Sequence, residues 1–151
     1  MATFQYHLSS VIPSGDWIWV FGSNIGGNHT RGASRIARDS FGAVHGCGIG
    51  PSGQSYAIPT IDDQFNRLPL SQIALHVANF IRFAAEQPER SFFVTDVGCD
   101  RSGPRNHRPA DMAMLFADVP AHCSLPEAWR PFILKPRKTG DFLPSTPYHD
   151  I

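Results

Sequence analysis

Hydrophobic positions in this chain form several short continuous runs, and these runs predict strands. Residues 17–21, Trp-Ile-Trp-Val-Phe, are all apolar, too few for a helix, and rich in aromatic and β-branched side chains. Such a run is typical of a strand that is covered on both faces, as in a parallel sheet between helices. Residues 54–59, 91–97 and 122–125 have similar compositions and predict three further strands.

Between these runs, apolar residues recur at helical spacing. The most regular pattern extends from Leu70 to Ala84, and Pro69 is placed as a residue of the first helical turn. A helix with Thr30 as its N-cap is predicted to follow residues 22–29. A short helix is predicted from Pro109 to Phe116. The pattern therefore predicts three helices between the strands.

Strands that alternate with helices indicate an α/β fold. We expect a three-layer α/β/α sandwich with a mixed, largely parallel sheet. The 151 residues suit a single domain, which we assign to residues 1–130. Residues 131–151 contain Pro, Lys and Arg without hydrophobic periodicity, and we expect them to form an irregular C-terminal tail.

Composition and charge narrow the classes of partner. Lys and Arg together number 13, as do Asp and Glu, so the formal charge is zero, which argues against a nucleic-acid or membrane-surface partner. No apolar run approaches the ~18 residues of a membrane span, and the first residues lack the pattern of a secretory signal. The three cysteines, at positions 47, 99 and 123, form an odd and widely spaced set. We therefore expect reduced thiols in a cytoplasmic protein, whereas the oligomeric state is left open.

Two glycine-containing loops, at residues 22–29 and 98–103, follow predicted strands and lead into predicted helices. A helix N-terminus offers unpaired N–H groups and the positive end of the helix dipole, so each junction is a potential phosphate site. Eleven of the 13 basic residues are Arg, the side chain best suited to bidentate contact with phosphate. We expect an anionic ligand here, although ordinary turn glycines and solvated arginines remain the alternative.

Three other chemistries are disfavoured. The segment 48–53 matches GxGxxG, but it runs into a predicted strand rather than opening a helix, so it is not a dinucleotide fingerprint. A zinc site from His45, Cys47, His122 and Cys123 would need spacings that structural zinc sites do not use. Cys99 is more typical of a small packed side chain than of a nucleophile. We expect neither a metal nor a cofactor.

The segments 20–24 (Val-Phe-Gly-Ser-Asn), 32–33 (Gly-Ala), 41–43 (Phe-Gly-Ala), 54–60 (Gln-Ser-Tyr-Ala-Ile-Pro-Thr) and 94–103, which contains Val-Thr-x-x-Gly-Cys-x-x-x-Gly, form a combined pattern. The pattern resembles a family of small bacterial and phage proteins, mostly of unassigned function, over residues 17–125. That family in turn resembles the macro domains, which bind ADP-ribose and in some cases hydrolyse its links to proteins or metabolites.

The resemblance implies a fold, a ligand and a set of site residues. The implied fold is macro-domain-like, and the implied ligand is ADP-ribose or a related phosphorylated nucleotide. Asn24 would lie near the distal ribose, and we add His29 as the second candidate catalytic residue. The implied ligand-binding residues are Gly22, Ser23, Gly26, Gly27, Arg31 and Gly32 in and after the first loop, and Gly98, Cys99, Asp100, Arg101, Ser102 and Gly103 in the second.

Whether the ligand is turned over stays open at this point. If it is, hydrolysis at the distal ribose is the implied reaction, with the protein acting as an ADP-ribosyl-type hydrolase. One alternative is a nucleotide N-glycosidase or phosphohydrolase on a Rossmann-like fold. Another is a non-enzymatic protein that sequesters a nucleotide.

Overall fold

A computed structural model describes residues 6–99 and 105–133, which form a mixed α/β fold. The strands are β1 (Tyr6–His7), β2 (Ile18–Asn24), β3 (Gly50–Ser52), β4 (Ser55–Ile61), β5 (Phe92–Val94) and β6 (Cys123–Pro126). The helices are α1 (Gly32–Ser40), α2 (Leu70–Ala85), α3 (Pro109–Leu115) and a 3-10 helix (Glu127–Phe132). None of the helices in these two ranges has both the length and the apolar character needed to cross a membrane.

The six strands form one sheet in the order β1-β6-β5-β2-β4-β3. All neighbouring pairs are parallel except β3 and β4, which are antiparallel. The prediction of a mixed, largely parallel sheet is therefore confirmed. Because the parallel strands run in one direction, the loops that follow β1, β2, β4 and β5 meet at one edge of the sheet, which we call the carboxyl edge.

Side chains of β2 alternate between two hydrophobic clusters. Ile18 and Val20 belong to the larger cluster, which also contains buried residues of α2 and α3. Trp19 and Phe21 belong to the smaller cluster, which contains Ala37 of α1. Since successive side chains of a strand point to opposite faces, the two clusters lie on the two sides of the sheet. The sheet is thus buried on both faces, which explains why residues 17–21 form an uninterrupted apolar run.

Several element boundaries differ from the predicted ones by a few residues. The N-cap of α1 is Arg31 rather than Thr30, and no side chain caps it. Pro69 is the N-cap of α2 instead of a first-turn residue, because its ψ of 150° places it in extended backbone. Strand β5 ends at Val94, and the chain then turns where the N–H of Val97 donates to the carbonyl of Thr95. The predicted strand 91–97 was too long for this reason.

Two short strands were not predicted from the sequence. Strand β1 has two residues and β3 has three, and neither length can show a hydrophobic period. Strand β3 lies inside the segment 48–53, which continues into β4 as expected and opens no helix. The 3-10 helix extends past residue 130, where the predicted tail begins, and residues 134–151 lie outside the described ranges. The division into a domain and a tail stays a prediction.

Candidate functional site

Two pockets are built largely from loops of the carboxyl edge. The first, which we call the basic pocket, has a volume of about 260 Å³ and is lined by Asn24, Asn28, Thr30, Arg31, Ser34, Phe65 and Arg105. The second, which we call the apolar pocket, has a volume of about 280 Å³ and is lined by Ser9, Ser10, Val11, Ile12, Trp19, Gly32, Ala33, Ile36, Thr95 and Asp96. The first turn of α1 contributes to both, so the two pockets are neighbours across the start of one helix.

Asn24 ends β2 on the wall of the basic pocket, and its side chain closes the turn that follows. Its Oδ1 accepts a hydrogen bond from the N–H of Asn28 at 2.9 Å, and its Nδ2 donates to the carbonyl of Asn28 at 3.0 Å. Asn24 is only 4% exposed. One N–H and one lone pair of the amide remain for a ligand after these two bonds. The side chain can therefore shape the loop and contact a ligand at once.

Phe65, after β4, and Arg105, before α3, also line the basic pocket. Phe65 has a φ of 64°, which makes it the one non-glycine residue of the described ranges in left-handed backbone. Such a conformation costs a bulky residue about 1–2 kcal/mol. The Nε of Arg105 donates to the Phe65 carbonyl at 2.9 Å, and its guanidinium carbon lies 5.9 Å from the centre of the Phe65 ring. The Arg105 side chain is therefore held against Phe65 in the lining of the pocket.

The arginines near the first turns of α1 and α3 fall into two groups. Arg35 pairs with Asp39 at 3.5 Å, and Arg108 pairs with Asp111 at 3.1 Å, both in exposed i,i+4 or i,i+3 pairs. Arg31 and Arg105 instead line the basic pocket, whose described lining residues include no carboxylate. Because the N-terminus of α1 adds further positive potential at Arg31, the pocket is suited to an anion.

Three predicted ligand-binding residues of the first loop, Gly22, Ser23 and Gly27, support its conformation. A Cβ on Gly22 would lie 3.3 Å from the backbone nitrogen of Gly98, so this glycine allows the second loop to approach β2 closely. The hydroxyl of buried Ser23 donates to the Gly48 carbonyl at 2.6 Å. Gly27 has a φ of +74°, and a Cβ there would overlap the backbone of Gly46. Gly26 is exposed beside Asn24. Direct contact of these residues with a ligand stays a prediction.

His29 is fully buried and lines neither pocket. Its Nε2 donates to the carbonyl of Cys47 at 3.0 Å, and its ring meets that of Phe21 edge to face. Burial lowers the pKa of His29 below its usual value, and the charges of His45 and Arg38 act in the same direction. A neutral, enclosed imidazole with these contacts links the first loop to residues 44–48. Its catalytic role stays a prediction.

Only the beginning of the second predicted loop can be described. Gly98 is buried with a φ of +75°, and a Cβ there would contact the side chain of Met112. Cys99 is half-buried and packs against the larger hydrophobic cluster. The remaining predicted residues of this loop, Asp100, Arg101, Ser102 and Gly103, lie outside the described residues.

The apolar pocket has one aromatic wall and one ionisable side chain. The indole of Trp19 stacks between the rings of Phe41 and Phe93, and its Nε1 donates to the Ala33 carbonyl at 2.9 Å. Asp96, two residues after β5, also lines the pocket. Its Oδ1 is buried and has no hydrogen-bond partner among the described residues, whereas Ser9 hydrogen-bonds to the carboxylate. Burial raises the pKa of Asp96, and the bond from Ser9 opposes that shift.

The sequence predicted Asn24, Arg31 and Gly32 as site residues. Asn24 and Arg31 line the basic pocket, and Gly32 lines the apolar pocket. Sequence reasoning missed Asp96, although the position of this residue just after a strand at the carboxyl edge was a usable signal. Sequence reasoning also missed Phe65, because no sequence pattern predicts its left-handed backbone conformation.

The described ranges contain no group of three or more His, Cys, Asp or Glu side chains placed to hold a metal ion. Of the residues considered for zinc, His122 donates its Nε2 hydrogen to the Ala84 carbonyl at the end of α2. Cys47 lies instead next to His29, in the loop before β3.

No protein-family model matches this chain, and neither a curated protein nor a solved structure matches it. The structure defines a class only, a mixed α/β protein with two neighbouring pockets at the carboxyl edge of its sheet.

Proposed function

We propose that this protein binds ADP-ribose or a related phosphorylated nucleotide, on a three-layer α/β/α fold that resembles the macro domains. The observation that carries the proposal is the pairing of an apolar pocket with a basic pocket across the first turn of α1. A nucleotide joins a flat, largely apolar base to a strongly anionic phosphate group. The two halves of such a ligand match the two pockets in chemistry.

The basic pocket supplies the groups that bind phosphate. Arg31 and Arg105 provide guanidinium donors, and α1 provides N–H groups at its positive end. The apolar pocket supplies aliphatic walls for the base, and Trp19 offers an edge of its indole, because its ring is stacked between Phe41 and Phe93. Each pocket is smaller than the ~300–1,000 Å³ that encloses a whole drug-sized ligand. A nucleotide diphosphate would therefore span both.

The function that we propose first is binding of the nucleotide without catalysis. The described residues that line the basic pocket include no carboxylate, imidazole or thiol that could act as a general base, and His29 is enclosed behind the loop. A second candidate function, hydrolysis at the distal ribose, is supported by Asn24, which keeps amide groups free on the pocket wall. Asn24 would then position the ribose or a water molecule.

The test is a thermal-shift panel of ADP-ribose, NAD, ADP and inorganic phosphate. A ligand at one hundred times its dissociation constant adds ~2.7 kcal/mol, which raises Tm by roughly 5–10 °C in a protein of this size. Arg31→Ala removes a charged donor from the basic pocket and should weaken diphosphate binding by about 10-fold or more. Arg35→Ala, which alters an exposed ion pair on the same helix, should leave binding unchanged.

The absence of a shift with every nucleotide diphosphate would refute the binding proposal. An equal shift with phosphate alone would reduce it to a simple anion site. Release of ADP-ribose from an ADP-ribosylated substrate by the wild-type protein would favour the hydrolase over the binding protein.

A further inference from the structure

The guanidinium groups of Arg31 and Arg105 come to the basic pocket from different parts of the chain. Arg31 is the N-cap of α1, and Arg105 lies in the segment just before α3. Neither of them forms an ion pair with a carboxylate of the described residues, whereas Arg35 pairs with Asp39 at 3.5 Å. An Arg side chain stays protonated in folded proteins. The pocket therefore has two positive charges that the described residues leave unneutralised.

The loop after β4 fixes the position of Arg105. The Nε of Arg105 donates to the Phe65 carbonyl at 2.9 Å. Asp62 closes the turn that presents this carbonyl, because its Oδ1 accepts hydrogen bonds from the N–H groups of Gln64 at 2.9 Å and Asn66 at 2.8 Å. The two terminal nitrogens of Arg105 keep their N–H groups for a ligand. The guanidinium is thus oriented before a ligand binds.

The size of the basic pocket limits what can enter together with a phosphate. Its volume of about 260 Å³ lies below the ~300–1,000 Å³ of pockets that enclose a drug-sized ligand. It therefore suits a single end group better than a diphosphate followed by a second ribose. A phosphate monoester is compact, has a charge of about −1.5 to −2 at pH 7 and presents three acceptor oxygens. A phosphate that bridges two groups lacks the third free oxygen and the second ionisation.

We propose that the basic pocket binds a dianionic terminal phosphate and that Arg31 and Arg105 select it by its charge. The inference rests on the proposed function and narrows its ligand to a nucleotide whose last phosphate is a monoester, such as a nucleoside diphosphate. Both phosphates of ADP-ribose are bridging, so ADP-ribose brings less charge to a single phosphate group. The last phosphate of a nucleoside diphosphate is the group farthest from the base, and it reaches the basic pocket across the start of α1.

The experiment compares ADP with the methyl ester of its terminal phosphate. The added methyl group removes the second negative charge and one free oxygen and leaves the rest of the ligand unchanged. Calorimetric titration of the full chain at pH 7.5, without divalent cations, gives the ratio of the two dissociation constants. We expect ADP to bind about 5-fold or more tightly than the ester, because charge-assisted bonds to phosphate are strong. ADP-ribose, as a third ligand, should bind more weakly than ADP.

The same ratio should depend on pH. The second pKa of a phosphate monoester is ~6, so only about one tenth of the ADP is dianionic at pH 5. We expect the ratio at pH 5 to be about one third or less of its value at pH 7.5. The described residues that line the basic pocket include no carboxylate or imidazole, and Arg31 and Arg105 do not titrate in this range. Asp96 in the apolar pocket meets both ligands alike, so its titration cancels in the ratio.

Three variants locate the effect. Arg31→Gln and Arg105→Gln each remove one positive charge from the pocket, and each should bring the ratio at pH 7.5 below about threefold. Arg35→Gln removes a guanidinium that pairs with Asp39 on the same helix and should leave the ratio unchanged. Because the wild-type ratio and its pH dependence need no variant, the inference stays testable even if Arg105→Gln does not fold.

The outcomes separate this inference from the proposed function. A wild-type ratio below 5-fold, a ratio that does not vary with pH, or a ratio kept by both Arg31→Gln and Arg105→Gln overturns the inference while nucleotide binding stands. ADP-ribose that binds more tightly than ADP overturns it as well. Inorganic phosphate that binds as tightly as ADP, and only with Arg31 present, overturns the proposed function and supports the site for a dianion. Absence of binding by all of these ligands overturns both.

Discussion

Asp96 makes the stability of the fold depend on pH. Its carboxyl group is largely enclosed, and burial raises its pKa above the value of an exposed Asp. The folded protein therefore holds a proton on Asp96 to a higher pH than the unfolded chain does. It follows that the free energy of unfolding falls as the pH rises from about 3.8 through the folded-state pKa.

Replacing Asp96 with Asn should stabilise the protein at pH 8. The neutral amide cannot take on the buried negative charge, and we expect Tm to rise by roughly 2–4 °C, the shift that about 1 kcal/mol produces in a protein of this size. The gain should shrink towards pH 4, where the wild-type carboxyl is itself protonated. Thermal melts at both pH values, with Asp16→Asn as the exposed control, would measure this. An Asp96→Asn variant less stable than the wild type at pH 8 would contradict it.

At the scale of elements, the sequence predicts the strands and helices that have a clear local hydrophobic pattern. Strand β2 and helix α2 were found because each has a long enough hydrophobic pattern, continuous in one and helical in the other. Strand β3 has the sequence Gly-Pro-Ser and gives no such signal. The order of strands in the sheet depends on pairing between distant segments, and a single sequence carries no pattern for it. Local signals thus identify most elements and leave their arrangement undetermined.

In the candidate site too, some residues could be predicted from local sequence patterns and others could not. Asn24 and Gly32 could be placed near a ligand because both flank a loop that follows a strand. Arg105 reaches the basic pocket through a bond to the carbonyl of Phe65, 40 residues earlier in the chain. Asp96 is hydrogen-bonded to Ser9, and these two residues are even further apart in the sequence. Contacts of this range form only in the folded chain, so sequence reasoning could not assemble the pockets.

Replacing Gly27 tests whether the close contact between Gly27 and Gly46 stabilises the first loop. Its left-handed backbone brings it against Gly46, whose N–H donates to the Gly27 carbonyl at 2.8 Å. Gly27→Ala should be destabilised by the left-handed conformation, about 1–2 kcal/mol, and by a further ~1–3 kcal/mol from steric overlap. Gly46 also has a positive φ, but a Cβ there would meet nothing within 4 Å, so Gly46→Ala carries the first cost alone. Urea unfolding of both variants measures the difference, and equal losses would show that the close contact is unimportant.

At the scale of the whole molecule, the parallel sheet is what brings the two pockets together. The loops after β1 and β5 supply Ser9 and Asp96 to the apolar pocket, and those after β2 and β4 supply Asn28 and Phe65 to the basic pocket. The strand order places β5 next to β2 and β2 next to β4, so the loops after these three strands are neighbours. Strand β6 separates β1 from β5, and the loop after β1 reaches Asp96 through Ser9. The integrity of the site therefore depends on the sheet as a unit, including the two-residue edge strand β1.

His7 links that edge strand to the rest of the sheet. Its ring stacks on Phe93 with 3.6 Å between ring centroids, and its Nδ1 lies 2.7 Å from the hydroxyl oxygen of Ser124 in β6. The side chain is 1% exposed, and burial lowers its pKa from 6.5 to about 3. Below about pH 6.5, the unfolded chain therefore binds a proton at this position that the folded protein does not bind. Acidification then favours unfolding until the pH reaches about 3.

We expect the stability advantage of the wild type over His7→Gln to be largest at pH 7 and to decrease on acidification. One differential proton changes the free energy of unfolding by ~1.4 kcal/mol per pH unit, and the unfolded imidazole is half protonated at pH 6.5, so the advantage should fall by about 1.6 kcal/mol between pH 6.5 and pH 5. The exposed control His45→Gln removes an imidazole without this enclosure. Urea unfolding at several pH values would give the three curves. A difference between the wild type and His7→Gln that does not vary with pH would show that His7 is protonated in the folded protein as readily as in the unfolded chain. The enclosure of β1 against β5 and β6 would then be wrong.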